Sequence, residues 1–106
     1  MSIIPIILTQ TAPEYTIEVE KDLNMQNPRE FVIGGNSVFD GATLKMQKLL
    51  SDHTGWTDYV NPATGDTVEF TIGAGYAITF YDKVGSIKFV ATGSGVNTDI
   101  RIDLIK

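Results

Sequence analysis

Apolar and polar residues alternate with a period of two along much of this chain, most cleanly over roughly its last fifty residues. Tyr76, Ile78 and Phe80 share one face; Ile87, Phe89 and Ala91 follow after a turn; Ile100, Ile102 and Leu104 close the sequence. Successive side chains of a strand point to opposite faces, so each triplet lays an apolar stripe on a sheet whose other face is polar. The same pattern recurs earlier. Tyr15, Ile17 and Val19 alternate with Thr16, Glu18 and Glu20, a half-buried strand with an acidic outer face. Phe31 and Ile33 mark a short strand stopped by Gly34-Gly35-Asn36, and Val38 and Phe39 lead into the Asp40-Gly41 turn. Val68, Phe70 and Ile72 give another strand, which Gly73-Ala74-Gly75 turns into the next.

Two segments are less plain. Residues 3–8 are rich in isoleucine, but Pro5 removes one ladder donor, which suits a sheet edge or an arm. An edge with exposed backbone groups can template a neighbour's strand. Ile3, Ile4, Ile6 and Ile7 are therefore expected either in an arm exchanged between subunits or in an ordinary first strand. Over residues 42–50, Ala42, Met46, Leu49 and Leu50 fall on one helical face, whereas Leu44, Met46 and Leu50 share a strand face interrupted by Lys48. Local propensity favours helix and the β-rich surroundings favour strand; a strand is expected.

Turn residues punctuate these stretches at Ser51–Gly55, Asn61–Asp66, Asp82–Ser86 and Thr92–Gly95. About eight to nine short strands at this spacing predict an all-β fold, an antiparallel β-sandwich, jelly-roll-like, with little or no helix. The 106 residues leave room for one domain, taken as 1–106, with residues 1–10 as edge strand or arm.

Composition narrows the function. The apolar fraction of 42% with 20% charged residues fits a folded globular chain. A net charge of −5 weighs against nucleic acid and against anionic membrane surfaces, both of which need clustered Lys and Arg. The absence of cysteine removes disulfides, thiolate metal sites and cysteine nucleophiles. The apolar N-terminus has no basic n-region and no small-residue cleavage site, and is far shorter than the ~20 apolar residues that span a bilayer.

Candidate chemistry is sparse. His53, the single histidine, sits in a polar turn beside Asp52, without a second ligand or orienting partner in view. Asp40, Asp52, Asp58 and Asp66 recur near turns, but their spacing matches no calcium loop. Thr92-Gly93-Ser94-Gly95 lacks the lysine and helix of a phosphate loop. No catalytic residue, cofactor or metal is expected. Leu49 to Asp82 carries five acids and no Lys or Arg, either a solvated face or a patch for a basic partner. Among the aromatics Trp56, Tyr59, Tyr76 and Tyr81, the indole is expected as a core anchor. Tyr59 and Tyr81 fall out of phase with the apolar stripes, which predicts exposed rings that could bind sugar with Asp58 and Asp66.

Phe39-Asp40-Gly41-Ala42-Thr43-Leu44, then Trp56-Thr57-Asp58, then Gly75-Tyr76 and Ala91-Thr92-Gly93-Ser94-Gly95 occur in an order that resembles small virion-associated β-sandwich proteins of tailed bacteriophages. The resemblance covers about two-thirds of the chain and is a packing signature of small turn residues and one indole in the core. The chain departs from the pattern at Lys48, at Gly73, and at Ala77 and Ile78, where Arg is frequent. The resemblance implies a non-enzymatic structural protein of the virion, most specifically a capsid decoration (cement) protein. It implies a homo-oligomer, with a trimer favoured, bound to phage capsid or tail proteins. The alternative is a carbohydrate- or receptor-binding module of a phage tail or fibre.

Overall fold

The computed structural model describes residues 3–19, 29–50, 54–61, 64–71, 77–80 and 85–105, with the backbone alone at residues 29 and 77–80. The nine elements of the described residues are all strands. They are β1 (Ile3–Thr9), β2 (Glu14–Glu18), β3 (Arg29–Ile33), β4 (Thr43–Leu49), β5 (Trp56–Asp58), β6 (Glu69–Phe70), β7 (Ala77–Phe80), β8 (Ser86–Thr92) and β9 (Asp99–Ile105).

They form two antiparallel sheets. The first has the order β1-β9-β3-β7 and the second β2-β8-β4-β5, with β6 also paired to β4. β5 lies against Gln47, Lys48 and Leu49, and β6 against Leu44 and Lys45, so the two short strands share one edge of β4. The pairings β1 with β9, β2 with β8, β3 with β7 and β4 with β5 describe one long antiparallel hairpin bent between β4 and β5. That hairpin is rolled up so that successive pairs alternate between the sheets, and the lateral pairings β3 with β9 and β4 with β8 complete each layer. This is the jelly-roll topology, an all-β sandwich as the alternating stripes predict.

The segment at 42–50 is a strand, although its residues suit a helix. β4 lies between β8 on one side and β5 and β6 on the other. A helix there would leave those neighbours' backbone groups without partners, and tertiary pairing overrides propensity. Leu44 and Met46 point into the core, each 1% exposed, while Lys45 and Gln47 alternate outward. The stripe Val68-Phe70-Ile72 is cut shorter than expected. Only Glu69–Phe70 is strand, with Val68 buried, Phe70 packed at the core margin, and Ile72 outside the described residues.

Between the layers, Ile6 and Leu8 of β1 and Ile100, Ile102 and Leu104 of β9 meet Ile87, Phe89 and Ala91 of β8 in a single buried cluster. At one end of the sandwich the β3–β4 and β8–β9 loops interlock. Asp40 has a left-handed backbone, with φ of 46°, and its Oδ2 accepts the Asn97 N–H at 2.9 Å. The buried Thr98 hydroxyl donates to the Phe39 carbonyl at 3.0 Å and accepts the Gly95 N–H at 3.0 Å. Gly41 and Gly93, both at positive φ, face each other across this junction. The small residues of the sequence motif are thus those that let two loops approach closely.

Candidate interaction surfaces

The outer face of the second sheet is polar and ordered by register. Lys88 is the centre of a row formed by Thr16, Lys88, Gln47 and Asp58 on β2, β8, β4 and β5. The next row runs Glu14, Val90, Lys45 and Glu69. Acids line both edges of the sheet and lysines its middle strands. Lys88 Nζ lies 2.9 Å from Glu14 Oε1 and 4.5 Å from the centre of the Trp56 ring. Gln47 Nε2 donates to Asp58 Oδ1 at 3.2 Å.

Trp56 overturns the expectation of a core indole. It is half-buried on this outer face, directly opposite Leu49, because Leu44 and Met46 take the inward positions of β4. Residues opposite each other in register share a face, so the odd positions of β4 carry Trp56 outward.

Tyr59 is also corrected. It is 8% exposed and belongs to the core, not to a surface platform. β5 ends at Asp58, and Tyr59 turns inward as its N–H donates to the Met46 carbonyl at 2.8 Å and its carbonyl accepts from Val68 at 2.9 Å. The alternation itself is kept, with Trp56 and Asp58 outward and Tyr59 inward; it is the face opposite to the expected one that meets the core. Asp58 remains exposed, on the face opposite Tyr59. Asp66 is exposed in the 61–66 turn, its carbonyl accepting the Asn61 N–H at 2.8 Å. Tyr81, Tyr76, Asp52, His53 and Asp82 lie outside the described residues. Of the four residues expected to bind sugar, Tyr59 is buried, Asp58 and Asp66 are exposed, and Tyr81 lies outside the described residues.

The outer face of the first sheet is different. β1 pairs with β9 of its own chain over its full length and is the edge of its sheet. Ile6 is buried and Ile4 half-buried, whereas Ile3 and Ile7 are 51% and 49% exposed on the other face with Pro5 between them. Ile105, opposite Ile3, continues this aliphatic surface inward, whereas Asp103, opposite Pro5, stands between it and Val32 in the same row. Arg101 lies opposite Ile7 and Asp99 opposite Thr9, and the two are joined by two hydrogen bonds of 3.2 Å. Among the described residues no group of His, Asp and Glu could hold a metal ion, and no helix is long and apolar enough to cross a membrane.

No protein-family model, no curated protein and no solved structure matches the chain.

Proposed function

We propose that this chain is a non-enzymatic structural protein that works by lying on a larger assembly, most specifically a capsid decoration protein of a tailed bacteriophage. The observation that carries the reading is the Ile3-Pro5-Ile7 stripe. Two exposed isoleucines on one strand, extended by Ile105, form an apolar strip beside Arg101 and Asp103. Such a strip is a contact surface rather than a pocket. The resemblance to virion-associated sandwiches supplies the kind of assembly. Interlocked loops and a continuous core give a body that brings little conformational entropy to lose on docking. Binding only to the assembled shell would then stabilise the shell by mass action. A homo-oligomer, with a trimer as the preferred form, would multiply the contact through linked binding.

The test is mass spectrometry and quantitative staining of particles produced from the genome that encodes the chain. A fixed, high copy number on purified particles, reduced at least tenfold in Ile3→Lys/Ile7→Lys, supports the reading. Absence of the chain from particles removes it. Because Tyr59 is interior, the carbohydrate- or receptor-binding alternative would rest on Tyr81 with Asp58 and Asp66.

A further inference from the structure

The hydrogen-bonding direction of every residue in β1 follows from a few bonds on its neighbour. Gly34 N–H donates to the Arg101 carbonyl at 2.8 Å, and Asp99 exchanges bonds with Val38 at 2.7 and 2.8 Å. The odd residues of β9 therefore direct their backbone groups toward β3. In an antiparallel strand this direction alternates, so Ile100, Ile102 and Leu104 address β1. Their register partners are Leu8, Ile6 and Ile4. Ile3, Pro5, Ile7 and Thr9 consequently point their backbone groups away from the sheet, along the edge that no described strand covers. The Thr9 N–H fits this assignment, since it turns out of the ladder to the Ala12 carbonyl at 3.1 Å.

Pro5 thus costs its own sheet no hydrogen bond. Its missing N–H lies at the centre of the one edge of β1 that no described strand covers. That edge is otherwise well made for pairing with itself. Two copies related by a two-fold axis would set Ile3 opposite Ile7, residue 5 opposite residue 5, and Ile7 opposite Ile3. With an ordinary residue at the centre, all three pairs would exchange two backbone bonds, and the outward isoleucines would form one continuous apolar strip. With proline, two rings and two carbonyls without donors meet at the axis.

We infer that Pro5 is a guard that prevents the β1 edge from pairing with a second copy of this chain, leaving the isoleucine face, not the edge, for contacts. Edge protection by proline is a recognised way of avoiding edge-to-edge association. The inference is independent of the particle reading: it concerns the isolated chain, and either can fail without the other.

The chain's lack of cysteine makes the test clean. Ile3→Cys/Ile7→Cys places thiols that a two-fold β1 pair would bring within disulfide distance, since such pairs have Cα atoms about 5.5 Å apart. This double variant is compared with and without Pro5→Val, and with Pro5→Ala as a second replacement, under mild oxidation, alongside light scattering of the cysteine-free Pro5→Val and Pro5→Ala chains. Both replacements are expected to raise covalent dimer about tenfold or more and to raise the solution mass above that of the wild-type chain. Equal cross-linking with Pro5 retained would overturn the inference. So would folded replacements with unchanged mass, or precipitation without the Ile3–Ile7 cross-link.

Discussion

Phe31 on β3 and Phe89 on β8 meet edge to face between the two sheets, with ring centres 4.9 Å apart and ring planes at 73°. Both are among the largest fully buried side chains, at 0% and 1% exposure. Because β3 and β8 belong to different sheets, the pair ties the two layers of the roll together. Truncating either ring to alanine is expected to cost about 3–5 kcal/mol from lost burial and the cavity left behind. A double-mutant cycle with Phe31→Leu and Phe89→Leu should show a coupling of about 0.5–1.5 kcal/mol by denaturant unfolding. Additive losses would mean that the ring geometry itself contributes nothing.

At Gly95 an added Cβ would lie 2.8 Å from the Asp40 carbonyl and closer still to the Asp40 side chain. The carbonyl belongs to a loop fixed by the Asn97 and Thr98 bonds and cannot retreat without breaking them. Gly95→Ala is expected to lose about 2 kcal/mol or more, read as a fall in Tm of roughly 10 °C for a domain of this size. Gly35→Ala, which meets no atom within 4 Å, is the control and should change stability little.

Asp40 combines a left-handed backbone with a carboxylate that accepts a backbone N–H. Asn tolerates that conformation and keeps an acceptor; Ala does neither. Asp40→Ala should therefore cost about 1–2 kcal/mol in thermal or urea unfolding, and Asp40→Asn clearly less. The reverse order would show that charge, not conformation, selects this residue.

Lys88 covers the only indole of the chain while pairing with Glu14. Lys88→Ala should uncover the ring and shift its fluorescence to the red. The expected stability loss is about 1 kcal/mol, since Glu14 is half-exposed and solvent screens the ion pair. Added salt should narrow the gap between wild type and variant. Unchanged emission would place the ring's environment outside Lys88's control.

Strand positions, their inward residues and the all-β class were legible in the alternation, because a strand that buries one face must place apolar side chains at every second position. Ile87, Phe89, Ala91, Ile100, Ile102 and Leu104 are inward as that rule requires. β4 was legible only through its surroundings, since its own residues favour a helix. Trp56 and Tyr59 depart from expectation for one reason. The alternation holds, with Trp56 and Asp58 on one face and Tyr59 on the other, but β4, which places its odd positions outward, turns the Trp56 face to the outside.

The sequence alone thus determined which residues seek the interior and where the chain turns, since both are local properties of side-chain polarity and backbone freedom. Pro5 marks its strand for a sheet edge or an arm, but only the tertiary structure decided that β1 pairs with β9 of its own chain, that Trp56 lies under Lys88, and that the Asp40 and Gly95 loops interlock. Each of these depends on which distant strand becomes a neighbour. Local pattern cannot specify that choice, because any alternating strand can pair with any other until the whole roll closes.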